Sequence, residues 1–498
     1  MITRMTQLPN NLYTAKETRE LDRLAIEEFA IPGIVLMERA GAVAYSILKQ
    51  HWPQTKKLCV VCGTGNNGGD GFVLARLAKE QGQQLDVFVV GDPDRIKGDA
   101  LVAKQRLEER DVTVKTYSGD GFPAADVLVD AILGTGLKGG VEGDELHAVK
   151  ALNTLNTQGA PILALDIATG LLADSGAVLT EAVKANMTVS FIGLNQGLLT
   201  AKGADCSGQL FFDDLQIPED VFLRVPASAK RLSFATSIFK KRDKESHKGL
   251  FGHALIIGGD IGMSGAARMA CEAALRSGTG LVSLATRPAH AAIINSTRPE
   301  IMSYPIEEEN DILALIDKAN VIAIGPGLGK SEWAATLFAA AINSEKPLVV
   351  DADALNLLAD QQIKRENWIL TPHPGEAARL LGCSTEEVQS DRFSAVKALS
   401  EKFGGTVILK GNGTLIYSDG ETYLCDRGNP GMASGGMGDV LTGMVCSLLA
   451  QGFSFTGAAN AGVYIHASAG DAAASEAGER GLLASDLMPA IRRLVNIN

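Results

Sequence analysis

Two stretches of this chain combine residue types that can hold an anion with residue types that can move a proton. The first, CGTGNNGGDG from Cys62 to Gly71, contains G-x-G-x-x-G at Gly63, Gly65 and Gly68, after an apolar run and before a helical pattern. In that context glycines let the backbone approach a pyrophosphate, and the following helix offers unpaired N–H groups. Polar residues also end other apolar runs: Asp130 in LVDAILGTGLKGG, and Asp166 with Thr169 in ILALDIATGL. Ligands of open α/β sheets lie at the carboxyl ends of the strands, so these groups should gather beside the glycine turn. A single aspartate after a strand could equally cap a helix or form a turn. Two strand ends that each run into a Gly-containing turn favour a site.

The second stretch, GNPGMASGGMGDVLTG, puts Gly435, Gly436 and Gly438 just before Asp439 and a helix. Several N–H groups are thereby aimed at an anion with a carboxylate beside them, which suits phosphoryl transfer: charge neutralised by backbone dipoles, and a base near the attacking hydroxyl. Upstream, KGNGT (Lys410 to Thr414) offers a cation, two glycines and a hydroxyl, and TPHPGE (Thr371 to Glu376) holds His373 between two prolines. A histidine in a rigid turn is better placed for a ligand than one on a helix face.

The elements that must position these groups read as alternating strands and helices. Thr14 and Glu17 form a capping box before a helix with the stripe Leu21, Leu24, Ala25, stopped by Pro32 and Gly33; a second helix shows Leu36, Ala40, Val43, Ala44 and Ile47 on one face. Strands are expected at Leu58–Val61, Leu85–Val90, Val127–Ile132, Pro161–Asp166 and Met187–Ile192, with a helix from about Phe72 to Gln81. From Pro218 to Gly249 the pattern breaks, and KKRDKESHKG is charged and aperiodic, either a linker or a lid over Lys241–Gly249. Alternation resumes at His253–Ile257, Val321–Ile324, Pro347–Val350, Trp368–Leu370 and Val407–Leu409, and an Ala-rich helical tail closes the chain. The fold class is α/β, with parallel sheets covered on both faces. At 498 residues the chain exceeds the roughly 250 to 300 that one core supports. We expect two domains, 1–225 and 226–498.

A net charge of -12 works against a polyanionic partner, which excludes nucleic acid and leaves phosphate binding to local backbone and placed cations. The start, MITRMTQLPNNLYTAKE, reads as no export signal, and no apolar run of about 18 residues suggests a membrane span, so the cytoplasm is expected. Seven scattered cysteines form no disulfide framework. Cys59 and Cys62 spell C-x-x-C, but odd spacing in a strand puts them on opposite faces, against a metal or redox pair.

NNGGDG (Asn66–Gly71), VDAILGTGLKG (Val129–Gly139) and LDIATGLLADSG (Leu165–Gly176) together resemble the NAD(P)H-hydrate epimerase domain, a Rossmann-like fold, over essentially residues 10 to 220. The resemblance implies that Asn66, Asn67, Gly68, Gly69 and Asp70, with Gly134, Thr135, Gly136, Leu137, Lys138, Gly139 and Gly140, hold the substrate. It implies K+ on Asn67, Asp130 and Thr169, where the family often has serine, and makes Asp166 the substrate-contacting aspartate and the acid/base of hydroxyl exchange.

GHALIIGGD (Gly252–Asp260), IGPGLG (Ile324–Gly329), TPHPGE, KGNGT and GNPGMASGGMGD resemble the ADP- or ATP-dependent NAD(P)H-hydrate dehydratases, a ribokinase-like branch, over about residues 235 to 490. By that resemblance Ala254, Gly327, His373 and Asp439 contact the hydrate, Lys410, Gly411, Asn412, Gly413, Thr414 and Gly438 hold the nucleotide, and Mg2+ accompanies it. The chain would then epimerise the R and S forms of NADHX and NADPHX. It would dehydrate the S form at the expense of ADP or ATP, with AMP or ADP and phosphate as products, and would assemble as a homo-oligomer. Each domain makes sense of its neighbour, because epimerisation helps only if a stereospecific partner consumes one epimer. Two other readings stand beside it: a hydroxymethyl-type small-alcohol kinase fused to a Rossmann NAD domain, and an interaction module like the epimerase-like domain of eukaryotic decapping enhancers. The motifs match the repair family more closely than the first, and the retained Asn67, Asp130 and Asp166 with the acidic charge disfavour the second.

Overall fold

The computed structural model describes residues 8–233, 239, 241–361 and 363–496. Lys240, the first residue of the charged segment, lies outside them. The chain divides into two compact units, Met1–Lys230 and Arg231–Asn498.

The first unit is built on a seven-stranded sheet. Its strands are β1 (Lys57–Cys62), β2 (Gln84–Val89), β3 (Val114–Thr116), β4 (Val127–Ala131), β5 (Ile162–Leu165), β6 (Met187–Phe191) and β7 (Gln209–Asp213). Their order is β3-β2-β1-β4-β5-β6-β7, with every neighbouring pair parallel. This is the doubly wound Rossmann order extended by one strand, and it reverses direction between β1 and β4, where a crevice opens for a ligand. β4 and β5 are buried at every position, as strands covered on both faces must be. The capping box on helix Ala15–Glu27 forms as read: Glu17 N–H donates to Thr14 Oγ1 (3.3 Å) and Thr14 N–H to Glu17 Oε2 (2.7 Å).

In the second unit the strands are β8 (His253–Ile257), β9 (Leu281–Thr286), β10 (Met302–Pro305), β11 (Val321–Ile324), β12 (Leu348–Val350), β13 (Trp368–Leu370), β14 (Thr406–Leu409), β15 (Thr414–Ser418) and β16 (Glu421–Cys425). They lie side by side as β16-β15-β14-β13-β12-β11-β8-β9-β10. Pairing is parallel from β14 through β10, and antiparallel for β14–β15 and β15–β16. One face is covered by the helices Ser264–Arg276, Met437–Ala450 and Phe455–Ala477, whose small residues allow close packing. A side chain on Gly443 would stand 2.0 Å from the Ala270 carbonyl oxygen. No helix among the described residues is long and apolar enough to cross a membrane.

The segment 241–249 is tied to this unit by Arg242, which donates to Gly278 O (2.6 Å) and Gln451 Oε1 (2.9 Å) and stacks on Phe251. Gly278 and Phe251 precede the starts of β9 and β8, so the segment lies at the amino-terminal edge of the sheet. The second site lies at the carboxyl ends, which sets the segment apart from any lid over that site. A hollow of about 820 Å³, lined in part by Arg242, Phe251, Arg276 and Arg492, lies at the same amino-terminal edge.

Candidate functional sites

In the first unit the chain leaves β1 at Cys62, turns through Gly63–Gly65 and enters a helix at once, Asn66–Glu80. The sequence suggests instead a glycine-rich loop with the helix starting near Phe72. The correction has a steric reason: these glycines serve close packing inside the first helical turns. A Cβ on Gly68 would lie 2.1 Å from Gly63 O, on Gly69 2.6 Å from the Met37 side chain, and on Gly71 2.7 Å from the Ala131 Cβ. The first turn nonetheless keeps its N–H groups free of intrahelical partners, as every helix start does.

A cleft of about 610 Å³ opens at this helix start. Asn66, Asn67, Asp70, Gly134, Thr135, Gly136, Leu137, Lys138 and Asp166 line it. Of the other expected substrate residues, Gly68 and Gly69 face inward, and a side chain on Gly140 would stand 2.5 Å from the Thr180 side chain. Any contact from these three would come from the backbone. Gly139 does not line the cleft.

The ends of β4 and β5 are joined by a polar chain. Thr169 Oγ1 donates to Asp130 Oδ1 (2.7 Å), Thr169 N–H donates to Asp130 Oδ2 (2.8 Å), and Leu133 N–H donates to Thr169 Oγ1 (3.0 Å). Asp130 is fully buried, and burial pushes its carboxyl up to about 6 against these hydrogen bonds. Asp166 follows β5 in the left-handed region at φ +63°, a conformation aspartate tolerates better than most residues. Its Oδ2 accepts the Thr135 N–H at 3.1 Å. Burial, with a smaller push from Asp22, brings its carboxyl to about 6. Asp70 is driven well above the usual carboxylate range by burial and by the charges of Asp166 and Asp22.

Asp22 lines the same cleft, with a carboxyl that burial raises to about 6. The sequence reading passes over it because only the neighbouring apolar stripe of its helix carries a signal. Asn67 is 7% exposed, and neither atom of its amide has a partner. A buried polar group left this way costs about 1–3 kcal/mol, so the position calls for a ligand.

In the second unit the expected groups again collect at strand ends. Lys410 follows β14 and donates to Asp351 Oδ1 at 2.7 Å, with Glu376 Oε2 at 3.9 Å. Asp351, 1% exposed after β12, also accepts from Thr442 Oγ1 at 2.7 Å. Burial would raise its carboxyl, but Lys410 and these hydrogen bonds hold it below the usual range. Asp439 sits in the first turn of helix Met437–Ala450, whose N-cap Gly436 has φ +93°, a glycine conformation. Burial, reinforced by Asp351, raises the Asp439 carboxyl to about 7. A side chain on Gly438 would stand 3.3 Å from Lys410 Nζ, so the glycine turn, the cation and the carboxylate share one place.

The loop Gly411–Gly413 is pinned from behind by Arg392, 1% exposed. Its guanidinium donates to the carbonyls of Leu409 (3.2 Å), Lys410 (3.3 Å) and Gly413 (3.4 Å). An arginine on the helix Arg392–Phe403 gives no motif, so sequence reasoning missed it. Thr414 already belongs to β15, with Oγ1 donating to Gly411 O at 3.0 Å.

His373 is the N-cap of helix Pro374–Leu381. Its Nδ1 accepts the N–H groups of Gly375 (3.0 Å) and Glu376 (3.3 Å), while its side chain stays 55% exposed. It therefore has a capping task, its Nε2 lies 3.4 Å from Glu376 Oε1, and the exposed part of the ring is open to a ligand. Gly327 lies at a strand end with φ +58°.

Ala254 is corrected by the structure. It is the second residue of β8, wholly buried between Val282 and Val321, in the core and near the wrong end of the strand. Ala266, in the first turn of helix Ser264–Arg276, is the alanine beside Gly327: its Cβ is 3.2 Å from where a Gly327 Cβ would stand.

Comparison with known proteins agrees with this division. Residues 254–493 match the family described as NAD(P)H-hydrate dehydratase, and residues 33–197 match YjeF-related protein N-terminus. The chain is 47% identical over 488 residues to a bifunctional NAD(P)H-hydrate repair enzyme of Coxiella burnetii, covering 97% of this chain and 99% of that protein. It is 40% identical to the corresponding enzyme of Escherichia coli, covering 98% and 95%. Among solved structures, a ribokinase-like superfamily protein of Enterococcus faecalis aligns with 53% of this chain and 95% of its own, at 28% identity and a TM-score of 0.50. A Bacillus subtilis ADP/ATP-dependent NAD(P)H-hydrate dehydratase, co-crystallised with ATP/Mg2+, aligns with 51% and 92%, at 32% identity and a TM-score of 0.46.

Proposed function

Because this chain belongs to the bifunctional NAD(P)H-hydrate repair enzymes, we propose that the cleft of the first unit exchanges the hydrate's hydroxyl and that the Lys410–Asp439 cluster of the second removes it. The protein is an epimerase and an ADP/ATP-dependent dehydratase in one chain.

In the first cleft the free N–H groups at the start of helix Asn66–Glu80 receive the substrate's phosphates. Asp166 is the acid/base. With its carboxyl near 6 it protonates the departing hydroxyl, and afterwards takes a proton from the water that re-adds at the same ring carbon from the other face. Asn67, Asp130 and Thr169 fit a potassium ion, since the Asn67 amide is buried without a partner and the donors are oxygens. When bound, the ion supplies fixed positive charge beside the buried Asp130 carboxylate.

In the second site Asp439 takes the proton of the ring hydroxyl, whose oxygen attacks the terminal phosphorus of the nucleotide. The P–O bond to AMP (or ADP) breaks. Phosphate then leaves the ring with the C–O electrons, and loss of a neighbouring proton restores the double bond. Lys410 and the backbone of Gly411, Asn412, Gly413 and Gly438 would meet the transferring charge, with Thr414 closing the loop. Asp351 is already taken up by Lys410 and Thr442, so Mg2+ would come mainly on the phosphates. Gly327, Ala266 and the open part of His373 would meet the hydrate. Work in the cytoplasm is kept as the expectation from the sequence, and a homo-oligomeric state and ADP as donor are carried over from the resemblance.

The observation that carries this reading is the raised carboxyl of Asp439 beside Lys410 and Gly438. The test is recovery of NADH absorbance from a mixture of both hydrate epimers with ADP, ATP or neither. Complete recovery with one nucleotide supports both activities and names the donor. Recovery that stalls at one epimer removes the epimerase, and none removes the reading.

A further inference from the structure

The loop 428–439 carries the second site's glycines and ends on Asp439, and it is fastened at both ends to one helix, Phe455–Ala477. At its start the Asp471 carboxylate accepts the Gly428 N–H on Oδ2 (3.1 Å) and the Asn429 side-chain N–H on Oδ1 (3.0 Å). Asn429 Oδ1 in turn accepts the Gly431 N–H at 3.1 Å and caps the short turn Pro430–Met432. At the loop's end, His466 is 9% exposed and its ring lies beside the backbone of Met437, two residues before Asp439. That backbone raises the ring's proton affinity, as a carbonyl facing a ring N–H does. Its Nε2 has no hydrogen-bond partner. Between the two anchors Gly470 admits the Met432 sulfur, 2.3 Å from where a Gly470 Cβ would lie.

A half-satisfied histidine in this core costs folding energy that an apolar residue would not. Burial pushes the ring down to about 4, so it is neutral where an enzyme works and is no proton donor to the reaction. What it does supply is a polar ring against the turn that aims Asp439.

We infer that His466 and Asp471 are positioning residues of the dehydratase, clamping the two ends of the 428–439 loop so that its N–H groups meet the nucleotide and Asp439 meets the hydroxyl. The inference rests on the dehydratase reading above. Neither residue is placed to touch substrate; both act through the loop.

The test compares wild type with His466→Phe, His466→Asn and Asp471→Asn in the full chain. Dehydration kinetics are read together with epimerisation, the melting temperature of the second unit, and hydrogen exchange over 428–439 with and without ADP or ATP. At position 466 phenylalanine fills the space without a ring N–H, and asparagine brings a side-chain N–H back. In Asp471→Asn the new amide turns an N–H toward one of the two groups that donate to the carboxylate. We expect His466→Phe and Asp471→Asn to lower kcat/KM for dehydration by about tenfold to a hundredfold, as small misplacements of catalytic groups do. Epimerisation should hold, amide protection should fall over 428–439 but not over β14, and His466→Asn should recover most of the loss.

Unchanged turnover in both variants overturns the inference, as does His466→Asn behaving no better than His466→Phe. If either variant melts early as a whole, Asn429→Ala cuts the same tie from the loop side, and unchanged turnover there overturns it equally. A wild-type chain that dehydrates nothing defeats the functional reading instead, and loop protection in the variants then still decides whether the clamp exists.

Discussion

The two sites handle buried carboxylates in opposite ways. In the first cleft Asp130 is fully buried and Asp22, Asp70 and Asp166 are half-buried, and the hydrogen bonds to Asp130 and Asp166 come from backbone N–H groups and a hydroxyl. Burial is the leading cause of each of their upward shifts. In the second site a lysine stands among the acids. Asp351, next to Lys410, is held low, while Asp439, farther along the same cluster, is left high. The difference matches the chemistry. Exchange of a hydroxyl needs a carboxylic acid that can give and retake one proton. Phosphoryl transfer needs a fixed cation for charge on oxygen and a separate base.

The strongest way to break the comparison is to neutralise one acid in each half. Asp439→Asn should lower dehydration by about 10²- to 10⁴-fold and leave epimerisation intact, and Asp166→Asn should do the reverse. Assays on the separate epimers distinguish the two. Joint loss in a folded single variant would sink the idea of two independent sites.

Lys410→Met tests the charge compensation itself. It abandons Asp351, 1% exposed, and Glu376, 7% exposed, and breaking such a pair should cost the second unit about 3–5 kcal/mol along with dehydratase activity. Because the folded carboxyl of Asp351 is depressed, its contribution is present above the ordinary carboxylate pKa of about 4 and is lost as pH falls through the folded value. Wild type should therefore approach the variant's stability at low pH, as read by denaturant melts across pH. A constant gap would contradict the pairing.

A smaller effect sharpens the same contrast. Dehydratase kcat/KM should rise with pH and level off above about 7, where Asp439 is ionised. The epimerase profile should bend near 6, with Asp166. Asp22→Asn removes a like charge that raises Asp166, so the epimerase bend should move to lower pH while the dehydratase profile stays in place. A bend that does not move would remove Asp22 from the electrostatics of the cleft.

Strands buried on both faces were legible as apolar runs, and β8, β11 and β13 fall where the residues put them. β3, Val-Lys-Thr, and β10 are short sheet-edge strands with exposed positions, so neither made an apolar run. The NNGGDG helix was misplaced because glycine signals a turn locally, whereas here it answers to Gly63 O and Met37, contacts that exist only after folding. Asp130, Asp166 and Asp439 stood out because polar residues ended apolar or glycine-rich runs. Arg392, His466 and Asp471 carried no such signal: each lies on a helix and acts on a loop distant in sequence or across the packing. Ala254 shows the limit of carrying a role across by motif alone, since one alanine among several must be chosen before the cleft is known.

The smallest expected effect concerns Thr169, where the two halves of the first cleft are joined. Its hydroxyl gives its one proton to Asp130 Oδ1 and accepts the Leu133 N–H. Thr169→Ser keeps both bonds and loses one buried methyl, worth about 1 kcal/mol, so epimerisation and its dependence on K+ should persist with a slightly lower melting temperature. Thr169→Val keeps the shape but takes one of two donors from Asp130 Oδ1, which keeps the Ile132 N–H, and strands the Leu133 N–H, at about 1–3 kcal/mol for the group left unpaired. It also deletes one oxygen of the proposed cation site, so epimerisation should fall and no longer respond when KCl replaces choline chloride. If valine and serine behave alike in both salts, the hydroxyl is a packing feature, and the cation must be sought around Asn67 without it.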